Sequence, residues 1–228
     1  GQDVRLVSPV VWGMLYVVGP ADAPKGDWKA LKGKKVAIAM PGNMPDLVFS
    51  YLLKKNGLDR KDIEVVNATD GQQAMQKLAS GEADYAVLPE HAATLAQAKL
   101  KEKGKETARV FNLQEEWAKV TGKKARFPMA GLVMPGKLVD SRPGLPAAVR
   151  AEVKASVDKA NAGDPATLQA IADHYKLPVD VVKQVIPRLQ LDVVPAKEAK
   201  ADYEDFLKRL GEVNPKIYGG KLPDDKFY

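Results

Sequence analysis

The stretch Val36–Leu58, VAIAMPGNMPDLVFSYLLKKNGL, decides the fold. An apolar run of strand length breaks at Pro41-Gly42-Asn43. A helical pattern then starts, with Leu47, Val48, Tyr51, Leu52 and Leu58 on or near one face. Asn43 is placed to cap that helix, and Pro45 falls in its first turn, where a missing N–H costs nothing. Asp46 sits at about the third helical position, where it favours the helix dipole and can reach back to the cap. Gly57 is placed to close the helix.

Outward from this stretch the alternation repeats. KKVAIAM reads as a buried strand and IEVVNA as a second. DGQQAMQKLASG reads as a helix from Thr69 or Asp70 to Gly81, DYAVLP as a third strand and EHAATLAQAKLK as a third helix. Strands alternating with helices of this length predict βαβ crossovers and a parallel sheet over residues 34–127. In such sheets ligands bind at the carboxyl ends of the strands. Three such ends occur, at Met40–Asp46, Asn67–Gly71 and Pro89–Ala93. Free backbone N–H groups at the first could hold a polar or anionic group, whereas good capping alone would explain the same residues.

The flanks differ. Residues 8–19 and 128–135 are both strand-like, the kind of pair that hangs one domain from another. From Leu138 to Leu210 the chain reads as mostly helical, broken at Pro143–Pro146, Gly163–Pro165, Pro178 and Pro187. LDVVP is a short extended piece, and the tail NPKIYGGKLPDDKFY is turn-rich.

Composition narrows the chemistry. The 228 residues include no cysteine, which excludes disulfides and cysteine-ligated zinc or iron–sulfur sites. The histidines, His91 and His174, have no partner at zinc-ligand spacing. There is no nucleophile elbow, Walker loop or dinucleotide fingerprint, so no catalytic residue, cofactor or metal is expected. Residues 94–126 carry nine Lys/Arg against four Glu. No aromatic residues interleave there as a stacking platform for nucleic acid would need, and AKLKEKGKETAR reads as a solvated helix end and loop. Gly1–Gly19 reads as strand rather than signal peptide, so an export signal would lie outside this chain.

Taken in order, LKGKKVAIAMPGNMPDLVFSYLLKKNGLDRKDIEVVNA, AMQKLASGEADYAVLPEHAA, AGLVM and GGKLPDDKFY resemble the periplasmic substrate-binding proteins of nitrate/sulfonate/taurine-type ABC importers. That group also holds binders of thiamine-pyrimidine precursors. The resemblance spans essentially the whole chain. It implies an α/β fold of periplasmic-binding-protein type II, two lobes joined by two hinge strands, with a ligand in the cleft. Residues 34–127 would be lobe 2, and residues 1–33 with 128–228 lobe 1. Family members usually carry a further βαβαβ stretch before the strand matching VRLVSPVVWGMLYVVG. Here Gly1, Gln2 and Asp3 precede it, so lobe 1 is expected to be incomplete.

The same resemblance implies a ligand-binding wall of Gly42, Asn43, Met44 and Pro45, with Glu90 and His91 from the third strand end. Val11, Trp12 and Met129 would come from the hinge side. Trp12 is either a ligand platform or core, Glu90 either a ligand contact or an acid at a helix start, and His91 either a ligand or a capping residue. Trp28 and Trp117 look like packing or surface residues. Asp46 and Glu90 would repel a nitrate or sulfonate in a low-dielectric site, which favours an uncharged or zwitterionic ligand. An anion fits again if Asp46 points away. The implied function is solute capture for a membrane permease by an extracytoplasmic monomer. The alternative is a sensing or interaction domain that reuses the fold. A pyrimidine-precursor synthase of the same superfamily would need a cysteine-rich motif that is absent.

Overall fold

A computed structural model describes residues 3–228. Gly1 and Gln2, assigned above to lobe 1, lie outside the described residues. The strands are β1 (Val4–Val11), β2 (Leu15–Pro20), β3 (Lys35–Ala39), β4 (Glu64–Ala68), β5 (Tyr85–Pro89), β6 (Thr107–Asn112) and β7 (Ala130–Pro135). The α-helices are α1 (Met44–Lys55), α2 (Gly71–Ser80), α3 (Glu90–Glu102), α4 (Leu113–Thr121) and α5 (Gly136–Ser141). They continue with α6 (Leu145–Asn161), α7 (Pro165–Tyr175), α8 (Val179–Val185) and α9 (Ala196–Gly211).

The chain divides into two units. Unit 2 holds Leu15–Arg126 and Lys208–Gly220; unit 1 holds the chain up to Met14, Phe127–Leu207 and Lys221–Tyr228. The boundary drawn from sequence at 33/34 therefore falls at 14/15. The reason is β2: it pairs with β5 and β6, so it belongs to the sheet of unit 2.

That sheet runs β4-β3-β5-β2-β6. β3 is parallel to β4 and β5, as the βαβ pattern predicts, but β2 is antiparallel to both its neighbours. The sheet is mixed rather than wholly parallel. Its two faces bury different side chains, as the two-residue period of a strand requires. Ala37, Ala39, Ala68, Ala86 and Leu88 pack with Ala74, Met75 and Leu78 of α2 and Ala92, Ala93 and Ala96 of α3. Small side chains let those helices lie close to the strands. Aromatic residues form a separate cluster: Trp28 lies 4.5 Å from Phe111 and 5.9 Å from Phe49, ring centre to ring centre. The Trp28 ring N–H donates to Glu116 Oε2 at 2.8 Å, and Trp117 packs 5.2 Å from Tyr51. Both tryptophans are buried packing residues.

In unit 1, β1 and β7 form a two-stranded antiparallel sheet. Gly131 sits opposite Pro9, where an added Cβ would come within 2.5 Å of the Ser8 carbonyl oxygen. A two-stranded ribbon is marginal alone, and helices supply the rest of the unit. Ala160, Leu168, Ala172, Val182 and Ile186 form one helical core, and Phe127 stacks on Phe206 at 5.5 Å.

Candidate functional site

The nine candidate residues fall into two groups. Val11, Trp12 and Met129 lie in unit 1; Gly42, Asn43, Met44, Pro45, Glu90 and His91 lie in unit 2. In unit 1 the Met129 N–H donates to the Val11 carbonyl at 2.8 Å, and both residues are half-buried. Trp12 is 1% exposed, and its ring N–H donates to the Asp192 carbonyl at 2.8 Å. Of the two readings of Trp12, ligand platform or core, its burial and this hydrogen bond favour core.

In unit 2 the turn Met40–Asn43 has a specific form. The Asn43 N–H donates to the Met40 carbonyl at 3.0 Å, Pro41 occupies the second position, and Gly42 takes φ 79° at the third. That is a type II turn, whose third residue needs the left-handed region glycine reaches without strain. Met40 also lies in the left-handed region, at φ 51°, and is 41% exposed. A Cβ on Gly42 would meet open space, so the turn surface is accessible.

The expected cap is not made. Asn43 is the N-cap residue of α1 but its side chain accepts no capping hydrogen bond. Asp46 instead accepts from the Gly42 N–H at 2.7 Å, one residue further back than the cap. The Asn43 N–H is held within the turn, and Pro45 has none. Among the described residues this leaves the Met44 N–H without an acceptor, joined two residues later by that of Asp46. By contrast α2 is fully capped: Asp70 accepts from the Gln73 N–H at 2.8 Å, and Gln73 Oε1 accepts from the Thr69 N–H at 2.8 Å. The start of α3 follows Pro89, which offers no side-chain cap. The uncapped helices α1 and α3 leave β3 and β5, which are neighbours in the sheet.

Both acids expected near these helix starts are neutralised. Asp46 is buried, bonded to the Arg60 guanidinium, and Ser50 donates to Asp46 Oδ1 at 3.1 Å. Glu90 is fully buried; Arg109 grips it through Nη2–Oε1 at 2.7 Å and Nε–Oε2 at 3.2 Å, and Thr94 donates at 2.7 Å. Arg109 also bonds Gln97 and lies 5.3 Å from the centre of the Tyr16 ring. Glu90 is thus an internal ion-pair partner rather than an open ligand contact, and the repulsion expected of an anion is removed at both positions. His91 is exposed. Burial by the surrounding protein pushes its imidazole pKa down, and the Glu90 carboxylate opposes that shift.

Arg60 and Arg109 escaped the sequence reading. The signal for Arg109 was its place in TARVF, where a lone arginine interrupts an otherwise apolar alternation. Among the described residues no group of three or more His, Cys, Asp or Glu could hold a metal ion. Nor is any helix there long and apolar enough to cross a membrane.

Two neighbouring strand ends of an α/β sheet, each followed by a helix start without a side-chain cap, make up the candidate site. The chain belongs to the family described as ABC transporter, phosphonate, periplasmic substrate-binding protein, which matches residues 13–169. It is 34% identical over 85 residues to the putative binding protein YtlA of Bacillus subtilis, a match covering 37% of this chain and 25% of that protein. Among solved structures, an ABC transporter from Parabacteroides distasonis superposes with a TM-score of 0.75 at 22% identity. That match covers 99% of this chain and 73% of the other. The periplasmic aliphatic sulphonate binding protein SsuA of Escherichia coli gives a TM-score of 0.73 at 15% identity, covering 96% and 71%. The fold also carries an enzyme: desulfurization enzyme DSZB gives a TM-score of 0.61 at 17% identity, covering 93% and 73%.

Proposed function

We propose that this chain is the solute-binding component of an ABC importer, exported to the periplasm, and that it captures a small organic oxyanion for a membrane permease. The observation that carries the ligand class is the start of α1. A type II turn holds the backbone open there, and two N–H groups lack acceptors at the positive end of a 12-residue helix. Backbone N–H groups at a helix start suit phosphonate, sulfonate or carboxylate oxygens. Asp46 and Glu90, the acids that would oppose such a ligand, are each bound to an arginine. Family membership supports the transport role, and the relatives that bind sulphonate support the charge. This reading reverses the preference for an uncharged ligand drawn from sequence.

Binding without chemical conversion is part of the proposal. The acids beside the helix starts are structural ion pairs, which leaves no carboxylate placed for proton transfer there. Titration calorimetry of the full chain with methylphosphonate, ethanesulfonate and a neutral alcohol of equal size tests it. An anion should bind with a Kd below about 1 mM, and Gly42→Ala should weaken that binding. Equal binding of the neutral analogue, or unchanged binding by Gly42→Ala, would overturn the assignment to this turn.

A further inference from the structure

Unit 1 contains a half-open cavity of about 470 Å³ that the strand-end site does not include. It is bounded by β1 through Arg5, Leu6 and Val7, by Arg150 of α6, by the first turn of α9, and by Lys226 and Tyr228 of the tail. Its volume is that of a site for a small organic molecule.

Charge sets the class of occupant. Four cations line the cavity, Arg5, Arg150, Lys197 and Lys226, against one acid, Glu198. Arg5 is already engaged, with Asp3 at 3.2 Å and Asp140 at 3.8 Å. Arg150, Lys197 and Lys226 make no ion pair with any described residue. Three uncompensated cations around one concavity repel each other and concentrate the field there, which attracts an anion. The Tyr228 hydroxyl oxygen is buried at the cavity wall, beside the Glu204 carboxylate. Burial and the nearby Glu204 carboxylate both raise its pKa, so the hydroxyl adds no negative charge to the cavity at neutral pH. The remaining wall is apolar, with Val7, Val139 and Pro146.

We infer that this cavity is a second ligand site, taking a small organic anion whose acidic head meets Arg150, Lys197 and Lys226 and whose apolar body rests on Val7, Val139 and Pro146. It lies wholly within unit 1 and requires nothing of the turn at Gly42. A protein with both sites would carry two anions of different shape, one read by backbone N–H groups and one by side-chain cations.

The test uses the full chain, isotope-labelled for amide NMR, titrated with benzoate, benzenesulfonate and benzyl alcohol. Both anions should shift the amides of Leu6, Val7, Lys197, Glu198 and Lys226 saturably, with a Kd near or below about 1 mM. Benzyl alcohol should not. Arg150→Gln with Lys226→Gln should raise the Kd for the anions about tenfold, and Glu198→Gln should lower it by removing the one like charge. These side chains are exposed or half-buried, so thermal melts should match the parent. Gly42→Ala should leave the shifts intact, which separates this site from the one proposed in unit 2. Shifts that do not saturate, equal binding of benzyl alcohol, or a Kd unmoved in both the double variant and Glu198→Gln would overturn the inference. A carboxylate source and a sulfonate source are told apart by the ratio of the benzoate and benzenesulfonate affinities.

Discussion

Unit 2 surrounds a five-stranded sheet with helices and pairs its buried acids with cations, Asp46 and Glu90 with arginines and Glu116 with Lys119. Unit 1 has a two-stranded ribbon, a helical core of small and medium aliphatic residues, and cations left without partners. In the first, backbone ladders fix where each side chain stands, so a cavity created inside has little room to close. In the second, helices meet helices and can slide to fill a gap. The difference teaches where precision is needed: the strand-end turn rests on the stiffer frame.

Four outcomes would break or sharpen this contrast. The largest effect is expected from Arg109→Ala, which leaves the fully buried Glu90 without its cation. Breaking such a pair costs about 4 kcal/mol, and urea unfolding should show it. A loss below about 1 kcal/mol would mean that unit 2 relaxes as easily as unit 1. Next is a matched pair of core truncations. Leu52→Ala in unit 2, at a fully buried position, should cost about 4 kcal/mol, and Leu168→Ala in unit 1 about 2 kcal/mol. Equal losses would remove the contrast.

A smaller effect belongs to the turn. Gly42→Ala places a Cβ at φ 79° and should cost about 1 to 2 kcal/mol through backbone strain alone, read as a lower melting temperature. Asn43→Ala, which removes no capping bond, should stay within about 0.5 kcal/mol. Smallest is the pH response of His91. Its folded pKa lies below the ordinary 6.5, so the unfolded chain takes up the proton first. Stability is unaffected well above that value and falls as pH drops through it. Imidazole NMR should place the His91 midpoint below 6.5, and His91→Gln should flatten the acid side of the stability profile.

Much of the α/β core could be read directly, because Val36–Ala39, Leu47–Leu53 and Tyr85–Leu88 show the periods of strand and helix without interruption. Three features could not. The strand Thr107–Asn112 comes after a run of lysines and contains Arg109, whose partner Glu90 is remote in sequence; local polarity hid a buried ion pair. The direction and neighbours of β2 depend on pairing with β5 and β6, and no local pattern encodes that. Asn43 followed by Asp46 reads as a side-chain cap, yet the carboxylate is drawn inward by Arg60 and Ser50 and takes the Gly42 N–H instead. The Pro41-Gly42 pair, on the other hand, carried a type II turn in plain view. Its left-handed glycine marks where the backbone stays open.

The two-part division of the chain also separates shorter-range from longer-range pairing. All five strands of the unit 2 sheet lie between Leu15 and Asn112, so that sheet can close without the helices that follow it in the sequence. The ribbon of unit 1 reaches further: Val4 pairs with Pro135, across the whole of that sheet. Residues 4–11 stay single until β7 joins them, and their pairing carries the loop-closure cost that slows non-local contacts. The five-stranded sheet therefore closes from the shorter-range pairings, and the ribbon only from a pairing that spans it.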